Sequence, residues 1–297
     1  MRIIDFRKAT YAFSTVLVVA SLLSFAVWGL KLGIDFTGGS LLEIEYKNAR
    51  PQNEEITANL AKIDEKDAVL QPTGERGVIL RLPNIDEAKH QDILSALGGP
   101  EIVTEKQFTS IGPTIGQELR RNAIWAIVLV MLMIMLYISW AFRLVSRPIA
   151  SWKYGFAALV ALVHDVSIPV GFFSVLGHFY GITVDTLFVT ALLTILGFSV
   201  HDTIVVFDRI RENLKKFGTR EPFEELVEKS LRQTIGRSIN TSLTVMFVML
   251  ALYLFGGATT KYFSLAILIG VGFGTYSSIF IASFLLITWH KFSLKRA

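Results

Sequence analysis

A few ionisable side chains stand inside otherwise apolar sequence, and their types suit proton transfer. His164 and Asp165 fall within ALVHDVSIPVG, and His201 and Asp202 within GFSVHDTIVVF. Arg237 opens the stretch GRSINTSLTVMF, where Ser238, Asn240, Thr241, Ser242 and Thr244 follow it. A carboxylate near the middle of a bilayer costs about 2.5–3.5 kcal/mol on insertion scales, so such a group normally faces a partner or water. A group caught between desolvation and a nearby cation is suited to pick up and release a proton. Asp202 with Arg237 is the pairing the spacing favours. His164, Asp165 and His201 are secondary candidates, for relay or for pairing helices.

These residues must be positioned by membrane helices. Of the 297 residues, 52% are hydrophobic and the mean hydropathy is +0.50, above ordinary soluble domains. The apolar residues cluster into runs near 11–31, 123–142, 154–176, 184–207, 239–256 and 264–289. About 20 apolar residues cross a bilayer core, so the pattern predicts six transmembrane helices. The first run follows Arg2, Arg7 and Lys8 as a signal peptide would. It is longer than the about 7–15 residues of a signal core and has no small-residue cleavage site, so an uncleaved helix is expected. The absence of cysteine excludes disulfides and thiolate chemistry.

The net charge of +4 matters less than its placement. Lys and Arg gather at the N-terminus, in the loops 143–153 and 209–236, and at the C-terminus (Lys291, Lys295, Arg296). GHFYGIT (177–183) has neither residue, and GGATTKYF (256–263) has Lys261 alone. The positive-inside rule then puts both termini in the cytoplasm. Arg120 and Arg121 run against this trend but end a long loop, which the rule largely exempts.

The chain divides into a first helix over 1–31, an extracytoplasmic domain over 32–121, and five helices over 122–297. Within the domain, LLEIEY (41–46) alternates as a strand and NEEITANLAKI (53–63) has helical spacing. DAVLQ and VILRL flank the turn PTGERG; IDEAKHQDILSAL (85–97) is a second helix, and EIVTEKQF (101–108) a last strand. The order β-α-β-β-α-β is that of a small ferredoxin-like α+β module. The predicted fold is therefore an α-helical membrane protein with such a domain between helices 1 and 2.

Helices 4 and 5 share a cytoplasmic loop and run antiparallel. Asp202 lies about 9 Å from the end of its apolar run, at 1.5 Å per residue, so an Arg one turn into the next helix can approach it. Blander roles stand beside this one. Arg237 can snorkel to the interface, Asp202 can hydrogen-bond between helices, and either His can satisfy a carbonyl. Gly270 and Gly274 form a close-packing face of a common kind.

At this point the sequence resembles a known family. GFSVHDTIVVFDRIREN (197–213) resembles the fourth-helix signature of the SecD/SecF protein-export membrane proteins, on the SecF side. GIDFTGGSLLEI (33–44) resembles their D-F-T-G-G motif, here Asp35, Phe36, Thr37, Gly38 and Gly39; ALVHDV, SIGPTIGQEL and LYLFGG also fit. The resemblance implies an RND-superfamily half in the bacterial inner membrane. It also implies a SecD partner, as a separate chain or a fusion half, and action beside the SecYEG channel on translocating preprotein. Protons serve as the coupling ion, with no cofactor. The family's membrane Asp and Arg correspond to Asp202 and Arg237. Where this chain has His201 the family often has Asn.

Rival readings stand beside this one; a purely structural membrane anchor leaves the buried charges unexplained. Of the other two, one is half of an RND-type proton-driven exporter of lipid or small molecules; such pumps usually carry twelve helices and two large domains in one chain. The other is an intramembrane aspartyl protease built on Asp165 and Asp202. The two carboxylates are offset in depth, and GFSVHD is not a Gly-x-Gly-Asp motif. No P-loop or HExxH motif is present. The expectation is a translocation factor, not an enzyme, contacting lipid and not nucleic acid.

Overall fold

The computed structural model of the chain describes residues 2–65, 68–143 and 149–295. Arg147 of the basic loop 143–153 and Arg296 at the C-terminus lie outside the described residues. The chain forms two compact units. One contains residues up to Lys31, Trp125–Ile182 and Leu187 onward; the other contains Leu32–Ile124 and Thr183–Thr186.

The larger unit is helical. Among the described residues, six helices are long and apolar enough to cross a membrane. They are α1 (Arg7–Trp28), α4 (Pro113–Ala141), α5 (Ser151–Tyr180), α6 (Thr186–Phe217), α7 (Phe223–Phe255) and a sixth span in two parts. That last span runs as α8 (Ala258–Tyr276), a π-helical stretch Ser277–Ala282, and α9 (Ser283–Lys295). Most buried side chains belong to α5, α6 and the sixth span, whereas α1, α4 and α7 turn most of theirs outward. Tyr154, Phe207 and Phe284 anchor the core, with Tyr154 edge-on to Phe207 at 5.3 Å. Pro169 stands inside α5, where it has no N–H to give the carbonyl of Asp165 four residues back. Near the N-terminus, buried Glu228 of α7 accepts from the Ile3 and Ile4 amides at 3.0 and 3.1 Å and pairs with Arg232 at 2.7 Å.

The loop expected over 209–236 is mostly helix: α6 runs to Phe217 and α7 starts at Phe223, with a 3-10 turn at Gly218–Arg220 between. Leaving the apolar layer does not end a helix whose charges pair along one face. Asp208 meets Arg211 at 2.6 Å and Arg209 meets Glu212 at 2.7 Å.

The smaller unit holds strands β1 (Gly39–Tyr46), β2 (Val69–Thr73), β3 (Gly77–Leu82) and β4 (Val103–Ile111), with helices α2 (Asn53–Ala61) and α3 (Glu87–Ala96). The sheet order is β2-β3-β1-β4 with every neighbour antiparallel, the split βαβ arrangement that the element order predicts. Leu42, Ile44 and Tyr46 of β1 and Val78, Leu80 and Leu82 of β3 point to one face, where Ile56, Leu60 and Ile93 cover them. That alternation fixes register, since a one-residue slip would turn all of them to solvent. Between Glu43 and Ile44 the pairing skips Lys106, an extra residue in β4 that breaks the register there.

Candidate functional site

Helix α6 carries Asp202 at 2% exposure, and α5 carries Asp165 at 0%. Their surroundings differ. Asp165 is saturated: His164 Nδ1 lies 2.9 Å from Oδ1, while Oδ2 accepts the Ser199 hydroxyl at 2.5 Å and the Ser277 hydroxyl at 2.8 Å. Gly274 makes room, since a Cβ there would stand 3.1 Å from Ser199 Cβ and 3.6 Å from the carboxylate. The π-helical stretch supplies Ser277 and, next to it, Ser278. The Ser278 hydroxyl donates to the Ser199 carbonyl at 3.1 Å and meets the Thr203 hydroxyl at 2.8 Å. Such stretches, with one extra residue in a turn, recur at functional sites. The His164 ring lies against Tyr276, centroids 6.0 Å apart, and its Nε2 is buried with no hydrogen-bond partner among the described residues.

Asp202 is held more loosely. Its Oδ2 accepts one long hydrogen bond, from Ser242 at 3.4 Å. The Ser242 hydroxyl is itself paired with Thr275. Ser238 lies beside the carboxylate, with its buried hydroxyl making no hydrogen bond among the described residues. Among the described residues Asp202 has no ion-pair partner within 4.0 Å.

No ion pair within 4.0 Å joins Arg237 to Asp202 in this chain. The residues of α7 that face the carboxylate are Ser238 and Ser242, one turn apart, and Arg237 is exposed. Successive helix residues are turned by about 100°, so placing Ser238 inward swings Arg237 aside. Asn240 and Thr244, also exposed, continue the same stripe as Arg237. His201 is exposed, on a different side of α6 from Asp202. Asp165 and Asp202 share no hydrogen bond, so they form no carboxyl dyad. Sequence reasoning missed Ser199, Thr203, Thr275, Ser277 and Ser278. For Thr275, Ser277 and Ser278 the signal was there in GTYSS (274–278), of which only Gly274 was read above, for packing.

The D-F-T-G-G motif forms a single helical turn, Ile34–Thr37, that leads into β1. Gly38 and Gly39 take φ of +75° and +127°, values that penalise a side chain. A Cβ on Gly38 would stand 2.7 Å from Pro113 Cα, and one on Gly39 2.7 Å from the Leu82 carbonyl. Phe36 is buried. Asp35 accepts from Thr186, the amide at 2.9 Å and the hydroxyl at 2.6 Å.

Six spans, a small α+β domain between the first two, and carboxylates buried among helix hydroxyls define a multi-pass membrane protein of the transporter kind. Residues 91–292 match the family described as protein export membrane protein SecD/SecF, C-terminal, and residues 24–49 match the SecD/SecF GG motif. Over 97% of its length the chain is 47% identical to the protein translocase subunit SecF of Thermobaculum terrenum, covering 94% of that protein. It is 40% identical to the SecF subunit of Anaerolinea thermophila, over 98% of this chain and 94% of the other. The crystal structure of SecDF, a translocon-associated membrane protein from Thermus thermophilus, superposes with a TM-score of 0.82 at 33% identity. That match covers 98% of this chain and 39% of that one. The chain belongs to the SecD/SecF family of protein-export membrane proteins, on its SecF side. It is a transport factor and not an enzyme.

Proposed function

We propose that this chain is one half of a proton-driven machine that helps draw preproteins outward beside the SecYEG channel, with a SecD chain or fusion half as the other. Asp202 carries the proton and Arg237 reads its charge state at the interface between the halves. The observation that carries this reading is the placement of Arg237. A guanidinium, Asn240 and Thr244 facing outward from an apolar helix are costly against lipid, and a second membrane chain relieves that cost. Inside the stripe, Asp202 keeps a loose shell of hydroxyls that tolerates either protonation state. One charge crossing 100 mV is worth about 2.3 kcal/mol. That biases a two-state equilibrium by roughly fifty-fold, enough for repeated small pulls.

The test is gradient-driven completion of preprotein translocation, without ATP, in proteoliposomes holding the full complex. Asp202→Asn keeps the shape and loses the titration, so stimulation by an imposed proton gradient disappears while membrane insertion survives. Arg237→Leu also loses the response. Arg237→Lys keeps the charge without the planar fork, so partial function there assigns the role to charge. Full gradient response in Asp202→Asn rules this residue out as the carrier. The reading puts both termini in the cytoplasm. A thiol introduced at Gln71 in this cysteine-free chain is then labelled from outside by an impermeant reagent, and one at Lys216 is not; labelling of both from one side contradicts it.

A further inference from the structure

We propose that Asp35 is a positioning residue that ties the glycine motif to the start of α6, the helix carrying Asp202. The inference rests on the proton-carrier reading above and adds how that helix is held.

One carboxylate oxygen of Asp35 accepts both the amide and the hydroxyl of Thr186, at 2.9 and 2.6 Å. Thr186 is the first residue of α6. Amides at a helix start lack partners within the helix, and a negative charge there gains further from the helix dipole. The grip does not stand alone. The Gly33 amide donates to the Val184 carbonyl at 2.8 Å, and Leu32 and Val184 form a parallel bridge. A Cβ on Gly33 would press against that same carbonyl at 3.1 Å. The four residues before Leu187 thus belong to the smaller unit, although the helix they begin continues in the larger one.

The other side of the motif is equally fixed. Gly38 lies against Pro113, and a Cβ on Gly116 would stand 2.8 Å from the Gly38 amide. Pro113 and Gly116 lie in the first turn of α4. Phe36 is buried and Gly39 already belongs to β1. One turn of helix therefore holds the start of α6, the start of α4 and the first strand of the sheet. The contacts are backbone-close, where a shift in one element is not absorbed by a flexible side chain. Asp35 is the member whose contact is a side-chain hydrogen bond, so it can be altered without altering the backbone.

The experiment uses the full complex in proteoliposomes, with Asp35→Ala, Asp35→Asn, Thr186→Val, Thr186→Ser and Asp202→Asn compared. Removing a helix cap costs about fivefold in an equilibrium, so Asp35→Ala lowers the gradient response by about fivefold or more, and Thr186→Val, which keeps the amide bond, lowers it measurably but by less. The double variant is no worse than Asp35→Ala alone, because the hydroxyl that Thr186→Val removes bonds to the carboxylate that Asp35→Ala has already removed. Asp35→Asn keeps an acceptor oxygen and Thr186→Ser keeps both donors, and each retains most of the response. Hydrogen exchange on the same samples gives a second readout. In the unaltered complex an imposed gradient changes the protection of β1, and in Asp35→Ala that change is lost while β1–β3 keep their basal protection.

Full gradient response in Asp35→Ala, with Asp202→Asn inactive, overturns the tie and leaves the proton carrier standing. Asp35→Asn falling as far as Asp35→Ala overturns it too, since charge and not the bond would then matter. Should Asp202→Asn stay active, the proton reading fails separately. The exchange data still decide here: unchanged protection of the first turn of α6 in Asp35→Ala removes the tie.

Discussion

Asp165 and Asp202 are both buried carboxylates on helices of one bundle, yet their oxygens are provided for differently. Asp165 has a histidine nitrogen and two hydroxyls within 2.9 Å. Asp202 accepts one long hydrogen bond, from Ser242 at 3.4 Å, whose hydroxyl also meets Thr275, with the Ser238 hydroxyl beside it. Burial by itself therefore does not mark a working group. A carboxylate enclosed by short hydrogen bonds from fixed donors is structural in energy terms, because its loss strands each of those donors. A loosely bound one can change its charge without dismantling its surroundings, as a group that titrates in each cycle requires.

Stability separates the two most sharply. Asp165→Ala strands His164, Ser199 and Ser277, and should cost about 3 kcal/mol. Asp202→Ala should cost less than about 1 kcal/mol, since it removes one weak bond. Thermal unfolding in mild detergent measures both, and equal losses would break the comparison. A smaller difference is expected one step out. Ser277→Ala should destabilise by about 1–2 kcal/mol, and Ser242→Ala by less, because Thr275 keeps its bond to the Val271 carbonyl. If Ser242→Ala proves the worse of the two, the hydroxyl shell of Asp202 is tighter than its geometry indicates.

The smallest effect belongs to a partly exposed carboxylate, which sets the floor of the scale. Glu45 of β1 is held below the usual carboxylate range, first by its hydrogen bond from Lys106 at 2.8 Å, then by the charge of that lysine and, more weakly, by Arg76. A lowered value in the folded state means that the unfolded chain binds protons first as pH falls. The contribution is then complete above the ordinary glutamate range and is lost as pH drops through the lowered one. Unfolding of the smaller unit followed by tryptophan-independent probes such as hydrogen exchange should show a slight acid slope, which Glu45→Gln removes.

Much of the fold was legible in the sequence because two periodicities are strong there. Apolar runs long enough to span a membrane named six helices, and Leu42, Ile44 and Tyr46 on one face of β1 announced the sheet. The helical connection through Lys216 and Glu225 was not legible, since hydropathy reports where lipid ends and not where a helix does. At the site, Asp202 and Asp165 stood out as charges in apolar sequence. Their difference did not, because it depends on which hydroxyls face them. Ser238 and Arg237 are neighbours in sequence, and no spacing rule says which of the two turns inward. The grip of Asp35 on Thr186 joins residues 151 positions apart, beyond any local pattern.

The π-helical stretch at Ser277–Ala282 has one more consequence, which concerns phase. The sixth span is a rod whose two halves are set in register by the extra residue of a single wide turn. Ser283, at the start of the second half, returns its hydroxyl to the Ser278 carbonyl five residues back, at 3.2 Å. Closing the stretch as ordinary α-helix with all its residues kept would rotate everything beyond it by about 100°. Phe284, Leu286 and Ile287, all at 0% exposure, would sweep out of the core together. Such a lesion changes no functional group at all. It acts as a slipped tooth does in a gear train, where every part is intact and none meets its mate.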